Sequence, residues 1–126
     1  MTTQTAIFEL PPIYLPAAQE VASAWVYQQL GPHESEELPL AELVDVLETI
    51  STLHELGIPD EPIHDDHRKL SRNAVSALRH AAADVRDMSA DMAINGYDMR
   101  TKGGSSRAAF KKHLAAQAST LLELLP

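Results

Sequence analysis

The chain has 126 residues, 44% of them hydrophobic, and no cysteine, which suits a single domain with one core and excludes disulfide frameworks, thiolate zinc sites and cysteine nucleophiles. No apolar run reaches the roughly 18–20 residues of a bilayer span, and residues 1–12 lack the basic and apolar regions of a secretory signal, so no membrane partner and a cytoplasmic location are expected. The net charge of −8 argues against nonspecific nucleic-acid binding by the whole surface.

Taken in chain order, residues 1–15 read as an extended N-terminal arm, because Ile7, Phe8, Ile13 and Tyr14 sit among three nearby prolines. The arm is expected to pack across the rest of the chain or against a second subunit. The first helix is predicted from about Pro16 to Leu30, with Ala18, Val21, Ala22, Trp25 and Val26 on its apolar face and Gly31-Pro32 as its stop. The second is predicted from about Pro39 to Leu56, with a seam of Leu43, Leu47, Ile50 and His54. A third, long helix begins between Asp60 and Asp66 and ends near Asn95-Gly96, where a left-handed cap is available. Its heptad seam is Leu70, Ala74, Leu78, Ala81, Val85, Met88 and Met92. If it started at Asp60 it would be about 54 Å long, more than the first two helices can cover. Tyr97 to Ser106 is read as a polar loop, with Ser105 or Ser106 capping a fourth helix that points Phe110, Leu114, Leu121, Leu124 and Leu125 inward. The fold class is therefore all-α, a four-helix bundle over residues 16–126. The apolar end Leu121–Pro126 further suggests a helix-mediated homodimer.

Charge is divided unevenly along this scheme. Residues 1–67 carry thirteen carboxylates and no Lys or Arg, whereas the rest carries ten basic residues against five acidic ones. Arg72, Arg79 and Arg86 recur every seven residues on the third helix, as Glu48 and Glu55 do on the second. In an antiparallel hairpin turning at Gly57 to Glu61 these two edges would neutralise each other. The competing expectation is a dipolar surface whose acidic cluster, Glu34, Glu36 and Glu37, contacts a basic partner or a second protomer.

Three candidate sites follow. Arg100, Lys102, Gly103, Gly104, Ser105, Arg107, Lys111 and Lys112 gather cations beside paired glycines at a helix start, a composition suited to phosphate or a nucleic-acid backbone, although the P-loop spacing is absent. With no aromatic residue between Arg100 and Arg107, base stacking is unsupported there. His54, His64 and His67 would meet at the hairpin end if the third helix started early, and imidazoles near Asp65 and Asp66 suit zinc or another divalent metal. Finally, Arg107-Ala108-Ala109-Phe110-Lys111-Lys112-His113 has an Arg-x5-His spacing that resembles the motif of the higher-eukaryote and prokaryote nucleotide-binding (HEPN) helical ribonucleases. That resemblance implies Arg107 and His113 as a catalytic pair assembled across a dimer, with imidazole as acid or base and guanidinium stabilising the phosphorane. Ala108 replaces the polar residue usual in that motif. Six residues of helix also turn the two side chains about 120° apart, so one chain does not focus both on one phosphate.

No complete catalytic constellation emerges from these residues. The expected function is that of a small non-enzymatic regulatory or inhibitory protein, without a cofactor, that contacts another protein. The ribonuclease and the divalent-metal protein stand as alternatives.

Overall fold

The computed structural model describes residues 6–30, 40–56 and 65–126. Phe8 and Leu70 meet across a two-stranded antiparallel sheet, in which β1 (Ala6–Glu9) pairs with β2 (Lys69–Ser71) and the register slips between Ala6 and Phe8. The Leu10 N–H extends the ladder to the Arg68 carbonyl at 2.8 Å. Arg68 Nη2 donates to Glu9 Oε1 at 2.7 Å, an ion pair that joins the acidic front of the chain to its first basic residue. The arm is thus extended only as far as Glu9; Pro12–Tyr14 form a 3-10 turn that leads into α1 (Leu15–Leu30).

Strand pairing corrects the start of the third helix. Lys69–Ser71 carry helical periodicity but lie in β2, and Ser71, with an extended ψ of 168°, caps α3 (Arg72–Asn95). Its Oγ accepts from Ala74 N at 3.1 Å and donates to Glu55 Oε2 at 3.2 Å, which satisfies an orphan donor of the first turn. The helix is consequently about 36 Å long rather than 54 Å. At its other end Gly96 stays right-handed, with φ −89°, instead of taking the left-handed cap.

Helix α2 (Leu40–Leu53) tightens into a 3-10 turn at His54–Leu56. Residues three apart eclipse in that geometry, so Leu53 and Leu56 both point into the core while His54 and Leu47 are exposed. This overturns the expected seam at Leu47 and His54. The Gly57–Glu61 turn lies outside the described residues.

Helix α4 (Lys102–Leu124) packs antiparallel along α3, and α1 lies across both. The core consists of Leu10, Leu15, Val21 and Trp25 against Leu70, Leu78, Val85, Leu114 and Leu121, all essentially buried. Gln19, buried among them, donates to the Leu56 carbonyl at 2.7 Å and so ties α1 to the end of α2. Leu70 is buried from β2, and the expected seam holds on α3 from Ala74 to Val85 and then shifts: Ser89 is fully buried and Met88 is 47% exposed. A straight helix drifts from a strict seven-residue repeat, and one residue corresponds to about 100° of rotation. Phe110 is likewise half exposed, whereas Leu121 and Leu125 are buried and Leu122 and Leu124 pack against the core. The leucine-rich end of α4 is therefore covered within one chain.

The two charged edges do not meet. Glu48 borders a cleft with Asn73, Ser76 and His80, and Glu55 binds Ser71. Arg72 and Arg79, one residue further round α3, border Ile7, Val75 and Pro126 instead, and Arg79 donates to the Pro126 carbonyl. Arg86 pairs with its neighbour Asp87 at 3.0 Å. Among the described ion pairs none links Glu48 or Glu55 to these arginines.

These burials predict the outcome of urea denaturation. Leu78→Ala is expected to cost about 2–5 kcal/mol, and Met88→Ala to change stability by no more than about 0.5 kcal/mol. Ser89→Ala is expected to raise stability by about 1 kcal/mol, because the Ser89 hydroxyl is buried without a hydrogen-bond partner.

Candidate functional site

The basic segment before α4 folds differently from a phosphate loop. Thr101, not Ser105 or Ser106, caps the helix: its Oγ1 accepts from Gly104 N at 2.9 Å and donates to the Asp98 carbonyl at 3.0 Å. Gly103 and Gly104 are thus already helical, and only the second is required to be glycine by its surroundings. A Cβ on Gly104 would overlap the Asp98 carbonyl oxygen, whereas one on Gly103 would meet open space. The glycine at 104 therefore permits close approach of the α3–α4 connection to the helix, and its N–H is satisfied within the chain. Arg100 folds back on Asp98, with its Nε 3.1 Å and its backbone N 3.0 Å from Oδ1. The guanidinium, followed by that backbone donor, holds the Asp98 carboxyl below the usual aspartate range. Lys102 and Arg107 remain exposed, while Ser105 and Lys112 turn to a groove between α3 and α4.

The two described histidines of the metal expectation, His54 and His67, lie in short turns and not on helix seams. His54 is exposed in the turn after α2, and His67 is in a separate 3-10 turn, Asp65–Arg68, that precedes β2 and touches the turn holding His54. His64 lies outside the described residues, as do Glu34, Glu36 and Glu37 of the acidic cluster. Among the described residues no group of three or more His, Cys, Asp or Glu side chains is placed to hold a metal ion. Arg107 and His113 are both exposed on α4, turned about 120° from each other as their spacing requires.

Two features were not anticipated. The first is a polar cleft of about 590 Å³ between α2 and α3, lined by Glu48, Thr49, Thr52, Asn73, Ser76, Ala77 and His80. Beside it, Asp84 Oδ2 accepts from Trp25 Nε1 at 3.0 Å and lies 3.4 Å from His80 Nε2, with the Trp25 and His80 rings edge to face at 5.8 Å. Ser76, His80 and Asp84 share one face of α3 through their four-residue spacing, a signal visible in the sequence. Asp84 satisfies the indole of the largest buried side chain, so this cluster fastens α1 to α3.

The second feature is the opposite face of the α3–α4 hairpin. A groove of about 580 Å³ runs between the helices, lined by Ala90, Ala93 and Ile94 of α3, by Met99, and by Ser105, Ala108, Ala109, Lys112 and Ala115 of α4. Ile94 and Met99 are 76% and 57% exposed. A smaller groove of about 440 Å³ at the other end of α3 is lined by Ile7, Arg72, Val75, Ser76, Arg79 and Pro126. Arg72 and Ala90, and Val75 and Ala93, are each separated by five whole turns, so the two grooves share one face, with Ser76 on its border with the α2–α3 cleft. Asp84, which meets Trp25 of α1, is two and a half turns from Ala93 and therefore on the other side. Helix α1, at about 24 Å, occupies one side of a hairpin about 36 Å long. Nothing among the described residues covers the groove at Ala93 on the other side. Also among the described residues, no helix is long and apolar enough to cross a membrane, so this apolar surface is not part of a spanning helix.

The turn geometry separates the two glycines experimentally. Gly104→Ala is expected to lower the urea midpoint, since the new methyl displaces the Asp98 carbonyl, whereas Gly103→Ala is expected to raise stability by up to about 1 kcal/mol through helix propensity. In a carbon-detected NMR titration, Arg100→Ala is expected to move the Asp98 midpoint up towards the ordinary aspartate range. The sign follows from linkage: a depressed carboxyl stabilises the fold above its unfolded-state pKa, and that contribution disappears as pH falls through the folded value. Compared with protein-family models, curated proteins and solved structures, the chain matches none.

Proposed function

We propose that this chain is a small non-catalytic regulatory or inhibitory protein that docks another protein on the open face of the α3–α4 hairpin. The observation that carries the reading is the alanine-lined groove at Ala90, Ala93 and Ala109, with exposed Ile94 and Met99 at its end and Lys112 beside it. An apolar concavity rimmed by charge is the ordinary anatomy of a protein contact: the floor supplies hydrophobic burial and the rim supplies orientation and encounter rate. Lys102, Arg107 and Lys111 lie at this end of the hairpin and add long-range attraction for a negatively charged partner. A second copy of the chain is disfavoured on this face. A symmetric pairing would set Arg72, Arg79 and Lys112 of one copy against the same cationic face of the other.

The test is capture from native lysate on immobilised full chain, comparing wild type with Ala93→Glu, after circular dichroism has established that the variant is folded. A specific partner is expected at low salt, released at high salt, and absent from the Ala93→Glu sample. Capture of the same set by both proteins, or of nothing by either, overturns the reading.

A further inference from the structure

We infer that the occupant of the open α3–α4 face is an acidic amphipathic helix of a partner protein, laid along the trough as a third helix. The inference rests on the docking reading above and specifies its partner. Three properties of the surface converge on that chemistry.

The first is the absence of strand-pairing capacity. The groove at Ala93 is built from two helices and the turn between them, and the helical backbone N–H and C=O groups are consumed internally, so an extended peptide finds no ladder to join there. What the surface offers is side-chain packing, and helices pack on helices at axis separations of about 8–10 Å. Ala90, Ala93 and Ala109 keep the floor low. An incoming helix can therefore approach closely and fill the groove of about 580 Å³ with its own larger apolar side chains.

The second is length. The shared face runs from Arg72 to Ile94, about 33 Å, which matches a helix of about six turns. Such a helix would present apolar residues at i, i+3 or i+4 and i+7 to the floor.

The third is the sign of charge. Arg72 and Arg79 line the groove at one end of the face and Lys112 the groove at the other, and neither groove is lined by an Asp or Glu side chain. Arg79 already donates to Pro126, but a basic helix would set its own charge against Arg72 and Lys112, whereas Glu or Asp on the flanks of the apolar stripe pairs with them. The arrangement selects against helices of the opposite sign as well as for the right one.

The test uses a fluorescein-labelled helical peptide of about 21 residues, with Leu at i, i+3, i+4 and i+7 and Glu on the flanking positions. Two controls accompany it: the same peptide with Lys for Glu, and the Glu peptide interrupted by a central Pro. Fluorescence anisotropy with the full chain at about 50 mM salt is expected to show the Glu peptide binding at least about tenfold more tightly than either control. Ala109→Glu, a surface change, and Lys112→Glu are each expected to weaken that binding by a further factor of about ten. Equal affinity for the Glu and Lys peptides, indifference to both substitutions, or no binding of the Glu peptide overturns the inference. If lysate capture depends on Ala93 and the Glu peptide does not bind, the docking reading stands and the acidic helix falls. If the Glu peptide binds as expected and lysate capture is indifferent to Ala93, the docking function falls instead.

Discussion

Pairing between Ala6–Glu9 and Lys69–Ser71 decides where α3 can begin, and most of the remaining architecture depends on that point. A residue engaged in a strand ladder cannot also be in an α-helix, so Ser71 becomes the cap and Arg72 the first helical residue. The hydroxyl that receives the Ala74 N–H also reaches Glu55, so one side chain starts α3 and fixes the end of the α2 segment against it. From that origin the phase of α3 is set over its whole length. Leu78 and Val85 face the core, Asp84 reaches Trp25, and Ala90 and Ala93 are left on the far side.

The hairpin that follows has two faces with different chemistry. One is closed by α1 through Trp25, whose indole is held by Asp84, and through Gln117 Nε2, which donates to Glu20 Oε2 at 3.1 Å. The other has small side chains where a bundle of four packed helices would carry large ones. Alanine offers little dispersion contact of its own but allows another element to approach closely. A surface of this kind contributes little to the stability of the isolated chain, and its composition is what motivates the proposed contact.

Among the described residues, charge asymmetry along the chain is expressed less as neutralisation than as segregation. Glu9 and Arg68 pair across the small sheet, where the acidic and basic portions meet. The arginines at 72 and 79 and the lysine at 112 instead border the open grooves. An exposed pair such as Glu9–Arg68 contributes at most about 1 kcal/mol, so segregation costs the fold little.

Periodicity and chain punctuation were enough to place four helices, the apolar face of α1 from Ala18 to Trp25, and the α3 seam from Ala74 to Val85. Those are local properties: helical spacing decides which side chains share a face, and Gly and Pro mark where helices stop. The start of α3, the cap at Thr101, the outward His54 and the displacement of the seam to Ser89 depend on contacts between residues distant in sequence or on the exact phase of a helix end. Of the residues now placed on the open face, Ser105 and Lys112 were legible from the basic cluster. The alanines were not, because alanine has the same pattern value on a buried face as on an exposed one. Only the packing of α1 on one side of the hairpin distinguishes them, since burial is a property of what lies opposite a side chain and not of the side chain itself.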